Sequence, residues 1–142
     1  MENELTVWYK VRNKFSFLSS QGSQRCQNLS NKSESLKQIR ICFVGESFVN
    51  GTGDPECLGW TGRICVNANQ KGYDITYYNL GVRGETSRNL KQRWLNEVSY
   101  RLPQEYDGRV VFSFGANDTG ANGIKQGIDL AESSENIRSI LR

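Results

Sequence analysis

Apolar and polar positions sort along this chain into two regimes. Through residue 37 no period is sustained. A short aromatic patch at Trp8, Tyr9, Phe15 and Phe17 gives way, after Leu18, to a stretch rich in Ser, Asn, Gln and Lys. Residues 5–18 suit a loose strand or a helix, and residues 19–37 read as linker or disorder. From Ile39 the pattern sharpens. Residues 39–44 form a short apolar run ending at Gly45, which predicts a buried strand. Leu58, Trp60, Ile64, Cys65 and Ala68 fall near helical spacing, with Gly72 as a stop beyond them. Residues 75–80 are β-branched and aromatic and end at Gly81, a second strand. Leu90, Trp94, Val98 and Leu102 recur every four residues, the mark of an amphipathic helix capped by Thr86 or Ser87 and closed by Pro103. Residues 110–114 predict a third strand ending at Gly115. Leu130, Ile137, Ile140 and Leu141 place a last helix over 129–142. Trp60 and Trp94 sit at core spacing and are read as packing.

Strand and helix alternate three times, which predicts an α/β fold with a parallel sheet covered by helices on both faces. In such an open sheet the ligand crevice lies at the carboxyl ends of the strands. Three loops therefore converge on one edge: residues 45–53, 81–87 and 115–123. The domain limits follow from the same pattern, a basic, disordered or loosely ordered head over 1–37 and a folded domain over 38–142.

Composition narrows the functional classes. The 142 residues are 37% hydrophobic and 23% charged, which suits one domain of ordinary size. Net charge is +3, but residues 1–40 hold seven Lys/Arg against three Asp/Glu, and the remainder holds eleven against twelve. The excess belongs to the head and reads as a solvated tail, so no nucleic-acid partner is expected. No apolar run approaches the ~20 residues of a membrane span, and no leader-like apolar segment is seen, so the expected location is cytoplasmic. The four Cys, at 26, 42, 57 and 65, lack metal-site spacing and read as reduced, mostly buried thiols. There is no His, which removes every mechanism whose base or metal ligand is an imidazole of this chain.

Each converging loop carries a candidate group. In Gly45-Glu46-Ser47-Phe48-Val49-Asn50-Gly51, Ser47 lies two residues past a buried strand, where its hydroxyl projects from the strand end. A helix starting there would aim N–H groups at a nearby anion. Val49 stands where a nucleophile elbow has its second Gly, and no Gly-Lys-Ser/Thr follows to make a phosphate loop. In Gly81-Val82-Arg83-Gly84-Glu85-Thr86-Ser87, Gly84 can present a backbone N–H with no side chain in the way. In Gly115-Ala116-Asn117-Asp118, Asn117 offers an amide donor. Singly, each is also ordinary turn chemistry. Jointly, a hydroxyl, a backbone N–H and an amide at converging strand ends are what acyl transfer through an oxyanion hole requires. Arg83 and Arg88, beside the second loop, read as solvated.

These three blocks, in this order, resemble those of the SGNH hydrolases, also called GDSL lipases/esterases, over residues 39–142. The resemblance implies a three-layer α/β/α sandwich with a flavodoxin-like parallel sheet. It implies Ser47 as nucleophile, and the Ser47 and Gly84 N–H groups with the Asn117 side chain as oxyanion hole. The implied reaction is ester hydrolysis on a small-molecule ester or acyl substrate, with no metal or cofactor. Two departures stand out. Glu46 occupies the place of the family's Asp, and the family's fourth block, an Asp and a His three residues apart, is absent. The expectation is a C-terminally truncated domain corresponding to the N-terminal part of the family fold. It would be inactive or incomplete alone, and prone to self-association through an exposed sheet edge. Glu46, Glu85 or Asp118 could be proposed as a substitute base, and nothing in the sequence places their carboxylates within reach of Ser47. Two alternatives remain: a non-catalytic relic or small-ligand binding module on the same fold, and a flavodoxin-like nucleotide or flavin binder.

Overall fold

The computed structural model describes residues 5–9, as backbone, together with 38–120 and 127–142. Four strands form one sheet: β1 (Leu5–Tyr9), β2 (Ile39–Gly45), β3 (Ile75–Gly81) and β4 (Asp107–Phe114). The helices are α1 (Ser47–Asn50), α2 (Gly59–Gln70), α3 (Ser87–Arg101) and α4 (Leu130–Leu141), and a 3₁₀ turn covers Ala116–Thr119. Strand order is β1-β4-β2-β3. The last three strands run parallel, as the alternation predicts, with Gly45 level with Gly81 on one side and Ser113 on the other. β1 adds antiparallel to β4, pairing Leu5 through Tyr9 with Phe114 through Val110. Leu5–Tyr9 is thus a strand, and the expectations for 10–37 lie outside the described residues.

β2 is central and apolar on both faces for a reason visible in its alternation. Cys42 and Val44 join Val110, Phe112, Leu90, Val98 and Ile140 in the core beneath α3 and α4. Ile39, Ile41 and Phe43 join Val49, Cys65 and Val111 in the core beneath α1 and α2. Trp94 meets Phe112 edge-on at 5.1 Å in one layer and Trp60 meets Phe43 at 5.4 Å in the other. Each aromatic pair adds about 0.5–1.5 kcal/mol beyond its buried area. This is an α/β/α arrangement. The chain leaves β2 for β3 on one side and returns past it to β4 on the other, so the direction reverses at the gap between the carboxyl ends of β2 and β4.

Two helical positions differ from expectation. Leu130 is 83% exposed, although the spacing puts it with the apolar residues of α4. It lies ten residues before the buried Ile140, which turns it about 80° off that face at 100° per residue. Ile64 is also exposed, because the buried face of α2 runs through Thr61 and Cys65, four residues apart. Among the described cysteines, Cys42 and Cys65 are buried and Cys57 is exposed. Burial pushes the Cys42 thiol up to about 12. No helix among the described residues is long and apolar enough to cross a membrane.

Gly45 ends β2 because nothing larger fits: a Cβ there would lie 1.9 Å from the Ser113 carbonyl oxygen and 2.6 Å from Val49 Cγ2. Gly45→Ala is expected to destabilise the fold by about 1–3 kcal/mol, measured by urea unfolding, since backbone must move to admit the methyl. A thiol reagent is expected to modify Cys57 in the folded protein and to reach Cys42 and Cys65 only on unfolding, read by mass spectrometry of the labelled peptides.

Candidate active site

The loop after β2 is squeezed between its neighbours. Gly45 faces β4, and Gly81 faces the loop itself, where a Cβ would stand 2.3 Å from Asn50 N and 2.7 Å from the Glu46 carbonyl oxygen. Two side chains are thus omitted so that one turn can sit directly on the strand ends. That turn is α1, a single helical turn beginning at Ser47, so the dipole available there is short. Asn50 N–H donates to the Glu46 carbonyl at 2.9 Å, and Gly51 and Thr52 both donate to the Ser47 carbonyl at 3.0 Å. Ser47 itself is partly exposed, at the first position of the turn.

The second loop is tied to the end of β2 by Val82 N–H, which donates to the Gly45 carbonyl at 3.0 Å. Glu85 N–H then turns back to the Val82 carbonyl at 3.2 Å. Gly84 lies in that turn with φ +77°, exposed, with open space where a side chain would be. Glycine is required here by the backbone conformation alone. The third loop opens with Gly115 at φ +119° and closes into the 3₁₀ turn that carries Asn117 and Asp118, both buried.

Asn117 draws the three loops together. Its amide Nδ2 donates to the Glu46 carboxylate in the first loop and, at 2.9 Å, to the Glu85 carbonyl in the second. Its backbone N–H also donates to Glu46, at 3.3 Å. Ser47 follows Glu46 and Gly84 precedes Glu85, so all three candidate residues lie beside or at this junction. The amide has two protons, and both have acceptors within the protein. Asn117 is 4% exposed. It can donate to a third group only by releasing one of these partners.

The acidic side chains of the loops are equally committed. Glu85 is held by Arg93, with Nε donating at 2.7 Å and Nη2 completing a two-pronged contact. Asp118 accepts from Ser87 N–H at 2.8 Å and Ser133 Oγ at 2.7 Å, so it braces the start of α3 against α4. Glu46 is bound to Asn117. None of the three is bonded to Ser47 Oγ. Among the described residues no group of His, Cys, Asp and Glu is clustered to hold a metal ion. Arg88 is not simply solvated, since it forms a forked pair with Glu132 at 2.6 Å. Arg83 is exposed.

Two residues of the site escape a reading of the sequence. Glu46 is visible there as a departure from the resembled motif, yet its contact with Asn117 spans 71 residues and leaves no local trace. Arg93 looks like any charged position on an amphipathic helix.

Glu46 is 2% exposed, and loss of solvation raises its carboxyl above the ordinary 4.5, opposed by the N–H groups of Asn117 and Ala116. The protonated form is thus the better tolerated one. Its stabilising contribution is complete below the unfolded value and is lost as pH rises through the raised folded value. Glu46→Gln cannot ionise. The melting temperature of wild type is therefore expected to fall relative to Glu46→Gln as pH rises from about 4 to 8, followed by circular dichroism. Parallel profiles would contradict the assignment.

With that geometry in view, relatives can be weighed. A family model described as GDSL-like lipase/acylhydrolase matches residues 43–142. A protein of Bacillus subtilis (strain 168), the uncharacterized YpmR, is 26% identical over 102 residues, which is 70% of this chain and 38% of that protein. Among solved structures, the SGNH-hydrolase family esterase AlinE4 is similar in fold, with a TM-score of 0.59 at 21% identity, over 76% of this chain and 53% of its own. A psychrotrophic esterase, EstA from Pseudoalteromonas sp., solved in a form inhibited by monoethylphosphonate, gives 0.56 at 21% identity, over 71% and 50%. This chain thus spans about two fifths to one half of the length of these relatives. At 21% identity the solved structures speak for the fold, and the match over residues 43–142 speaks for descent: the chain belongs to the GDSL-like lipase/acylhydrolase family.

Proposed function

We propose that this chain carries the nucleophile-bearing part of an ester hydrolase, acting on a small-molecule ester or acyl substrate, with Ser47 as nucleophile. One observation carries the reading: the loops bearing Ser47, Gly84 and Asn117 meet at the carboxyl ends of the parallel strands, where the chain reverses direction. In the proposed reaction Ser47 Oγ attacks the ester carbonyl carbon and gives up its proton. The resulting oxyanion is met by the N–H groups of Ser47 and Gly84, and by Asn117 once its amide leaves an internal partner. Collapse expels the alkoxide, which takes up a proton as the alcohol, and water then hydrolyses the acyl-Ser47 ester.

The base for the first step is the missing part. This chain has no His, and Glu46, Glu85 and Asp118 are bound elsewhere. The proposal therefore requires an acid–His pair from a further segment of polypeptide. Without one triad member, an oxyanion hole and binding alone sustain about 10³–10⁴-fold catalysis over water in well-studied triads. A second reading is a small-ligand binding module or relic that keeps the pocket without turnover. The internal satisfaction of both Asn117 amide protons favours it.

Hydrolysis of p-nitrophenyl acetate by the chain and by Ser47→Ala separates the two, with circular dichroism checking that both fold. The chain alone is expected to show a weak rate above Ser47→Ala. Free imidazole, supplied as the absent base, is expected to widen that difference several-fold once its direct reaction with the ester is subtracted. Equal rates for the two folded proteins, with and without imidazole, would transfer the assignment to the binding reading.

A further inference from the structure

Arg93 is the side chain that the proposed reaction does not use and the geometry singles out. It lies on α3, and its side chain is 20% exposed. Nε donates to Glu85 Oε1 at 2.7 Å, and Nη2 to the other Glu85 oxygen. Nη2 also reaches the Leu80 carbonyl at 2.9 Å and the Gly45 carbonyl at 3.3 Å. Nη1 donates to Glu97 Oε1 at 2.8 Å. One planar group thus bonds the ends of β2 and β3 and grips the residue after Gly84. A residue that merely braced α3 would need only Glu97, four positions on.

We infer that Arg93 is the positioning residue of this site, holding the turn at 82–85 against the strand ends and, through the Glu85 carbonyl, setting the direction of the Asn117 amide. The inference rests on the proposed function for its catalytic meaning but not for its geometry. Glu85 is fixed at both ends of the residue, its carboxylate by Arg93 and its carbonyl by Asn117. Gly84 precedes it in a turn that is open, among the described residues, where a side chain would stand. The fork is specific to arginine. Lysine is a point charge, and it cannot hold two carboxylate oxygens and two carbonyls in one plane.

The test uses the full chain, 16.1 kDa, by two-dimensional NMR with ¹⁵N labelling. Arg93→Lys is expected to shift the Asn117 side-chain amide signal. It should also raise exchange of the Val82 and Glu85 N–H groups, which are the hydrogen-bonded ones of that turn, by ~10-fold or more, leaving the β2 amides protected. Glu97→Gln removes the charge of the other carboxylate that Arg93 contacts and is expected to leave the Asn117 signal in place. An unmoved Asn117 signal in folded Arg93→Lys would overturn the inference, as would a uniform loss of protection over β2 and β3. Should Arg93→Lys not fold, the double variant Arg93→Gln with Glu85→Gln removes the fork without stranding a buried charge, and is judged by the same signals. Where wild type shows a Ser47-dependent rate, Arg93→Lys should lower kcat roughly 10- to 100-fold with KM little changed, and an unchanged kcat overturns the inference. Where it shows none, the esterase reading fails, while the NMR outcome still decides the role of Arg93.

Discussion

The Asn117 amide has two protons and two acceptors, and much of the end of the molecule where the parallel strands stop is arranged so that both are met. The Glu46 carboxylate reaches it because β2 and β4 are neighbours and end level with one another. The Glu85 carbonyl reaches it because Val82 is bonded to the Gly45 carbonyl and Glu85 is gripped by Arg93. Gly45 and Gly81 leave the space that lets α1 sit on the strand ends. A buried donor left without an acceptor costs about 1–3 kcal/mol, so the junction is held by the penalty for breaking it as much as by the bonds themselves.

The same accounting constrains the chemistry. An oxyanion that recruits Asn117 must replace Glu46 or Glu85 as its acceptor. A developing full negative charge is a stronger acceptor than a neutral carbonyl, so exchange with Glu85 has the better driving force. Glu46 competes on other terms, because loss of solvation disfavours its ionised form. The carboxylates around Ser47 serve as braces. Glu46 joins β2 to the third loop, Glu85 joins the second loop to α3, and Asp118 joins the third loop to α3 and α4. Each is committed to architecture, so none of the three is free to take a proton from a neighbouring group.

The parallel sheet, its three strand ends and the three loops that meet there are legible in residue order. Apolar runs ending in glycine at 45, 81 and 115 mark strands whose carboxyl ends meet, and the four-residue recurrence through Leu90, Trp94 and Val98 marks α3. The positions that mislead, Leu130 and Ile64, are apolar residues at helix positions turned away from the core. A spacing rule that tolerates one residue of slip places them inside. Local pattern alone does not distinguish strand from helix at residues 5–9, because the pairing of β1 with β4 depends on residues a hundred positions away.

Sequence by itself determined the alternation, the family to which residues 43–142 belong, and the absence of an imidazole base, since these depend on residue identity and local period alone. Tertiary structure decided which groups are free to act. Glu46, Glu85, Asp118 and Asn117 read in the sequence as available donors and acceptors at a crevice. In the folded chain each is engaged by a partner from another element, 8 residues away for Arg93 and Glu85 and 71 for Asn117 and Glu46. A hydrogen bond is a matter of angstroms between atoms, and only the packing of α1 and α3 against the strand ends brings those atoms within reach.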